Sequence, residues 1–569
     1  MPSLDSRFRT LLVSLLLLTA ANAFATNTPV NLTATPNSTT QITLTWTDNS
    51  TDEIGFTFVF DTNSSFSNPT YVWTGGANVT SYVHTSLSAG TTYYYRIKAE
   101  GTTDALDSPF SSAVSAATPG AVTPISTHFY GVNAWMPYQI GSHVFYGSLG
   151  NQWPNIDASG AQIMRYGGHG VDEYADPLWS NSSTSTLAQY LALVDNMKNH
   201  GIEPVLQVPV FGSTYSTTDA ADIVRYVNIT HARGVQYWSI GNEPDLSGGP
   251  YGYTTAAQVA AYIRPFASAM KAVDPSIKIV GPDTTWYNPA IMNGLTTPGG
   301  PDDITGKDAN GRYYVDILAF HHYNGFSGSQ SRTDVISSLT QPGGFQDNLS
   351  DLKTRLAACN SYHNRTGSNA LRMAITEANV NYQNSANDSV AGNGAESFLG
   401  GQWWAELLGI SMKHGVDFVT FWSVIEGSTQ TGNELGFIGA NGTTKRPTYY
   451  HFQMLAENFR GNVASSSDNQ TLVKTFASKA SDQIAVILLN QESSTSFNYT
   501  VRLNTAAVSG TNPLKINVDA GVAMESSGTL ASQSTILLVF DSFGVLKKKI
   551  EYRLVGHANS DLPPTVTTY

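Results

Sequence analysis

Two glutamates carry the chemistry this chain is equipped for. Glu243 closes the run Val-Gln-Tyr-Trp-Ser-Ile-Gly-Asn-Glu, and Glu377 closes Leu-Arg-Met-Ala-Ile-Thr-Glu. Each run is short, apolar and rich in strand formers, which predicts a buried strand with a carboxylate at its C-terminal lip. A parallel α/β barrel displays its reactive groups at that lip. Two carboxylates on different strands of one barrel suit cleavage of a glycosidic bond, one as acid/base and the other as nucleophile or base. The competing reading makes both glutamates structural salt-bridge partners.

Other strand ends add groups to the same mouth. Arg165, in Arg-Tyr-Gly-Gly, closes a second strand. A buried guanidinium there would hold a carboxylate ionised, or simply form a structural ion pair. His321, His322 and Tyr323 close a sixth strand. Strand alternation lets only one of the two histidines face the mouth. His322 is chosen because Phe320 and Tyr323 flank it, and Tyr323 joins it as a substrate contact. Trp422 closes the eighth strand and offers a face on which a sugar ring can stack. Trp135 is placed with these residues, and Trp179, Trp286 and Trp403 are further candidates for subsites or for packing. No third ligand stands at metal-binding distance in sequence from the histidine pair, so neither a metal nor another cofactor is expected.

The elements that must position these groups follow from periodicity. Strands are predicted at 128–134, 161–166, 202–209, 235–241, 276–281, 315–321, 371–376 and 416–422, with helical segments between them. The clearest helix is 184–200, where Leu187, Tyr190, Leu191, Val194 and Met197 share one face. A last helix spans 447–459. Eight such units over 126–461 fit a (β/α)8 barrel with enlarged loops. Segment 27–118 alternates like a β-sandwich, and 119–125 reads as a Pro-containing linker. Strand patterns return over 462–541 as a C-terminal β-sandwich. The tail at 542–569, with Lys547 and its two lysine neighbours, has no assigned place.

Composition limits the partners. The chain has 569 residues, too many for one ordinary domain. Its formal net charge is -13 and only 13% of residues are charged, which argues against nucleic acid and anionic membrane and is compatible with a neutral polysaccharide. Arg7 and Arg9, then the apolar run from Leu11 to Ala20, predict a signal peptide over 1–25 and hence a secreted protein. No later segment predicts a membrane span. The single cysteine, Cys359, sits in a helical apolar pattern and is expected as a core thiol. A monomer is expected.

Two resemblances sharpen this. Leu87 to Tyr93, with Trp46, resembles the tyrosine corner and core tryptophan of fibronectin type III domains. Asn242-Glu243-Pro244 at strand four and Thr376-Glu377 at strand seven resemble glycoside hydrolase clan A, the retaining barrel hydrolases. That resemblance implies that Glu243 is the acid/base, Glu377 the nucleophile and Asn242 a partner of the sugar 2-hydroxyl. Tyr166-Gly-Gly and Gly241 to Leu246 are similar to segments of the family 44 endoglucanases and xyloglucanases and of family 79. The nucleophile segment Thr376-Glu-Ala-Asn379 departs from the family 44 pattern. Three functions follow: an endo-acting β-glycanase, an exo-glycosidase such as a glucuronidase, xylosidase or arabinofuranosidase, or a non-catalytic carbohydrate-binding protein.

Overall fold

The computed structural model describes residues 26–118, 122–134, 149, 152–168, 171–172, 184–210, 215–246, 252–325, 330–382, 388–426, 435–506 and 508–569. The chain divides into two compact units, Met1–Val122 and Thr123–Tyr569. The predicted signal segment and Trp135 and Trp179 lie outside the described residues.

In the first unit, strands Val30–Ser38, Gln41–Thr47 and Ser81–His84 form one antiparallel sheet. Strands Thr70–Trp73, Gly55–Asp61, Thr92–Glu100 and Val114–Ala117 form the other. Their alternate residues Ile42, Leu44, Trp46, Phe56, Phe58, Tyr95 and Ile97 share one core. Trp46 lies against Phe56 with ring centroids 5.5 Å apart. The Tyr93 hydroxyl accepts the Ser88 N–H at 2.9 Å.

The second unit is built on a closed barrel of eight parallel strands. In chain order they are Tyr130–Ala134, Ile163–Tyr166, Glu203–Val208, Tyr237–Ile240, Lys278–Thr284, Ile317–Tyr323, Arg372–Asn379 and Val419–Phe421. All eight predicted strands are present, and the last pairs with the first through Val419 and Tyr130. Inward residues Ile163, Val205, Tyr237, Val280, Ile317, Ala319, Ala374 and Phe418 fill the interior. Outward neighbours such as Met164, Leu206, Trp238, Leu318 and Phe320 pack under the surrounding helices. The predicted helices appear as Thr184–Asn199 and Pro447–Asn458. Cys359 is buried on the helix Phe345–Tyr362, as its spacing predicts.

The C-terminal sandwich differs from expectation at both ends. Its larger sheet has seven strands, and Thr123–Pro124, read as linker, is one edge of it, paired with Asn462–Ala464. A proline is tolerated there because an edge position needs no ladder donor. The tail supplies the other edge: Leu546–Arg553 pairs with Ser534–Asp541, and Thr565–Thr568 pairs with Leu546–Arg553. The run Ile484–Leu489 is buried throughout because both faces of this sheet are covered. Ile484, Val486 and Leu488 face the four-stranded sheet, while Ala485, Ile487 and Leu489 join the core shared with the barrel helices. Gln402 on a barrel helix donates to the carbonyls of Asn490 and Ser534 at 3.1 and 3.0 Å. Among the described residues, no helix is long and apolar enough to cross a membrane.

Ending the chain at Asp541 would bare the edge of Ser534–Asp541 and remove the buried Ile550 and Tyr552. Calorimetry of the truncated protein is expected to show a melting midpoint lowered by about 5 °C or more, or no soluble product. An unchanged midpoint would show that the two tail strands contribute nothing to the sheet.

Candidate active site

Alternation along the barrel strands decides which side chains reach the mouth. On the second strand Ile163 faces the interior, so Arg165 follows it inward and Met164 and Tyr166 face the helices. On the sixth strand Ile317 and Ala319 face in, so His321 and Tyr323 follow them. His322 therefore faces out. It stacks on Trp403 with ring planes 8° apart and packs against Phe345. Burial pulls its pKa down to about 4. His322 is thus a wall residue, and its neighbour His321 is the histidine of the site. Trp403 is core for the same reason.

Arg165 is fully buried and gathers the mouth around it. Its Nη1 donates to Glu377 Oε1 at 2.8 Å and to Asn133 Oδ1 at 3.2 Å. Its Nη2 donates to Asn242 Oδ1 at 2.7 Å and to Gln207 Oε1 at 3.4 Å, and lies 3.7 Å from Asp283. Burial pulls the guanidinium down, but Glu377 and Asp283 outweigh it and raise its pKa.

Glu377 sits at a break in strand register. Phe320 pairs with Ile375 and His321 with Glu377, so Thr376 is the extra residue of a bulge. The bulge re-aims the strand end. Thr376 donates through Oγ1 to Asp283 Oδ1 at 2.6 Å, while Glu377 also reaches the mouth. Its Oε1 is held by Arg165, and its Oε2 accepts the Tyr323 hydroxyl at 2.8 Å. Burial pushes the Glu377 carboxyl up from its ordinary value, and Glu243 adds to this. His321, Arg165 and the Tyr323 hydrogen bond pull it down.

Glu243 stands just beyond the fourth strand with φ 45°, in the left-handed region that side chains rarely adopt. Asp283, at φ 54° on the fifth strand, accepts its backbone N–H at 2.8 Å and fixes it there. The Glu243 side chain is more open than that of Glu377, 14% exposed against 7%. His321 Nδ1 lies 2.9 Å from Glu243 Oε1 and 3.5 Å from Glu377 Oε2. Burial lowers the His321 pKa, but Glu377 and Glu243 outweigh it and raise it above the ordinary value. One oxygen of each glutamate and a His321 ring nitrogen all lie within 4.8 Å of one another. These are ligand types for a cation, but the adjoining Arg165 already supplies positive charge to Glu377.

The half-buried Trp422 closes the site from the eighth strand. A side chain at Gly168, whose φ is 115°, would meet the Trp422 ring at 2.9 Å and come within 3.9 Å of Glu377 Oε1. That glycine lets the indole lie beside Glu377. The structure thus brings together Glu243, Glu377, Asn242, Arg165, Tyr323 and Trp422. Asn133, Gln207 and Asp283 went unrecognised in the sequence and His321 was passed over for His322, although strand parity marks Asn133, Gln207 and His321 as inward; Asp283 is out of phase with inward Val280 and reaches the mouth through a register break and left-handed backbone. Buried Asp172 also went unrecognised. It accepts the Val210 N–H at 2.8 Å, and burial pushes its carboxyl up to about 8.

Solved structures share this architecture. A bifunctional glucanase-xylanase from a metagenome library superimposes with a TM-score of 0.50 at 17% identity, over 74% of this chain and 96% of its own. A family 51 alpha-L-arabinofuranosidase from Bifidobacterium longum gives 0.53 at 14% identity, over 74% and 97%. A family 44 xyloglucanase from Paenibacillus polymyxa gives 0.50 at 12% identity, also over 74% and 97%. The likeness is one of fold. No family profile matches the chain, and no curated protein matches it in sequence.

Replacing Arg165 by Met would leave Glu377 and Asp283 buried without their cation. Urea unfolding is expected to show a loss of about 3–5 kcal/mol, the cost of breaking a buried ion pair from one side. A loss below about 1 kcal/mol, the range of an exposed pair, would show that the guanidinium does not hold the site together.

Proposed function

We propose that this protein is a retaining glycoside hydrolase in which Glu377 is the nucleophile and Glu243 the acid/base. The observation that carries this reading is the close approach of the two carboxylates, with one oxygen of each within 4.8 Å of the other. A double displacement needs carboxyls about 5–5.5 Å apart, whereas an inverting site leaves about 6.5–9.5 Å for a water. Both oxygens of Glu377 accept hydrogen bonds, from Arg165 and Tyr323, so its lone pairs are oriented as those of a carboxylate. Glu243 is more open and is held by one histidine, the setting for a group that gives a proton to the leaving oxygen and later takes one from water. Asn242, its carbonyl oxygen held by Arg165, keeps its amide NH2 for the sugar 2-hydroxyl.

The substrate in this reading is a neutral β-linked polysaccharide cut internally, in the manner of an endo-β-glycanase. Low charge, the aromatic strand ends and the glucanase-xylanase and xyloglucanase among the fold neighbours support it. An exo-acting enzyme is the second reading, favoured by the arabinofuranosidase neighbour. The first unit is read as a fibronectin type III domain, supported by its two sheets, its buried Trp46 and the Tyr93 to Ser88 bond. The basic and apolar N-terminal run supports secretion.

Glu377→Ala is expected to lose at least about a hundredfold in rate, with azide restoring turnover and giving the inverted glycosyl azide. Proton NMR of the first wild-type product should show the substrate's own anomer; an inverted anomer would remove the double displacement.

Glu243→Gln should slow substrates with basic leaving groups far more than activated aryl glycosides, because only the former need its proton. Equal losses across a leaving-group series would exchange the roles of the two glutamates.

Tyr323→Phe removes a hydrogen bond that lowers the Glu377 pKa. Since Glu377 must be ionised to attack, the acidic limb of kcat/KM should move to higher pH. A limb that stays put or moves down would show that the hydroxyl does not act on Glu377.

A further inference from the structure

We propose that Asp283 is a positioning residue that shares Arg165 with Glu377 and so limits how firmly the nucleophile is held; this rests on the hydrolase reading above. The sixth strand is flanked by two breaks of register. On one side Pro282 pairs with Ala319 and Thr284 with Phe320, which leaves Asp283 as an extra residue. On the other side Phe320 pairs with Ile375 and His321 with Glu377, which leaves Thr376. The two extra residues meet: Thr376 Oγ1 donates to Asp283 Oδ1 at 2.6 Å. Alternation from inward Val280 would send the Asp283 side chain outward, and its left-handed backbone, φ 54°, goes with the break that turns it to the mouth. Irregularities on two strands thus bring one more carboxylate to Arg165.

That carboxylate is not needed to neutralise the guanidinium. Glu377 already pairs with Arg165 at 2.8 Å, and the uncharged oxygens of Asn133, Gln207 and Asn242 accept from its two Nη atoms. A second buried carboxylate beside a single guanidinium lacks a full counter-ion, which is costly. Asp283 Oδ2 lies 3.7 Å from Arg165 Nη2 and, among the described residues, has no hydrogen-bond partner although the side chain is fully buried. It is near enough to draw on the guanidinium charge and too far to bond it. Asparagine would keep the Thr376 bond and tolerate the left-handed backbone, so what aspartate adds here is its charge.

That charge acts on Glu377 through Arg165. The Glu377 carboxyl faces Arg165 from strand two, Glu243 from beyond strand four, and His321 and Tyr323 from strand six. Asp172 adds another carboxyl within the field of Arg165. Burial and Glu243 disfavour the Glu377 anion, while His321, Arg165 and the Tyr323 hydroxyl favour it. Asp283 diverts part of the Arg165 charge and adds a like charge nearby, and both effects disfavour the anion. The nucleophile is thereby ionised without being locked to the guanidinium.

The test is the pH dependence of kcat/KM for Asp283→Asn on an activated aryl glycoside. Glu377 must be ionised to attack, so activity rises with pH through its pKa. With Arg165 undivided that pKa falls, and the acidic limb is expected about one unit lower, the reverse of Tyr323→Phe. A merely structural residue would lower the rate and leave the limb in place. Thr376→Val is the second variant: released from Thr376, the Asp283 carboxylate turns to Arg165, and the limb should move to higher pH. With an active wild type, a limb that stays or rises in Asp283→Asn overturns the sharing alone. Should that variant not fold, a limb that stays or falls in Thr376→Val does the same. A wild type that hydrolyses no glycoside overturns the hydrolase reading, and the sharing with it.

Discussion

The site depends on one buried cation. Arg165 has no exposed surface, and burying a guanidinium is costly unless its charge is met within the protein; here both Nη atoms are partnered, while Nε has no hydrogen-bond partner. Its partners come from five other barrel strands or their ends: Asn133, Gln207, Asn242, Asp283 and Glu377. Each must arrive at the right height and angle, so partnering the guanidinium also fixes both Glu377 and Asn242, the residue beside Glu243. The same cluster sets the charge balance. Arg165, and His321 whose pKa Glu377 and Glu243 raise, face three carboxylates, Glu243, Glu377 and Asp283.

Local irregularity supplies what regular strands cannot. Two adjacent inward groups on one strand require a break in alternation, and the bulge at Thr376 provides it: Thr376 goes to Asp283 and Glu377 to Arg165. Glu243 and Asp283 both occupy left-handed backbone and are tied to each other by a main-chain hydrogen bond. Strain of this kind persists only where surrounding contacts over-determine it. Here those contacts are the Arg165 cluster below and, at the side, Asp245, whose Oδ1 accepts the Thr285 N–H at 2.8 Å and so ties the Glu243 loop to the end of the fifth strand.

The barrel was legible because its strands are buried on both faces and read as apolar runs at regular intervals. The glutamates were legible because a charge at the end of such a run has few structural uses. The choice between His321 and His322 failed for a specific reason: flanking aromatics were weighed where parity counted back from Ala319 and Ile317 decides the face. Asn133 and Gln207 were missed because an uncharged polar residue on an inward position carries no signal until the buried charge it serves is known, and Asp283 because alternation from Val280 points it outward and only the register break at Pro282–Thr284 turns it to the mouth. The tail strand Leu546–Arg553 was hidden by its lysines. It is an edge-side strand with one solvated face, and only Ile550 and Tyr552 mark the other. The strand Thr123–Pro124 is two residues long, too short for any periodicity to appear.

The central claim is that Glu377 forms the covalent bond to the sugar. A 2-deoxy-2-fluoro glycoside with an activated leaving group slows breakdown of such an intermediate, so incubation followed by peptide mass spectrometry locates the bond directly. The account predicts a stoichiometric glycosyl adduct on the peptide containing Thr376-Glu377-Ala378. An adduct on Glu243, or inactivation with no covalent adduct on either glutamate, would contradict it.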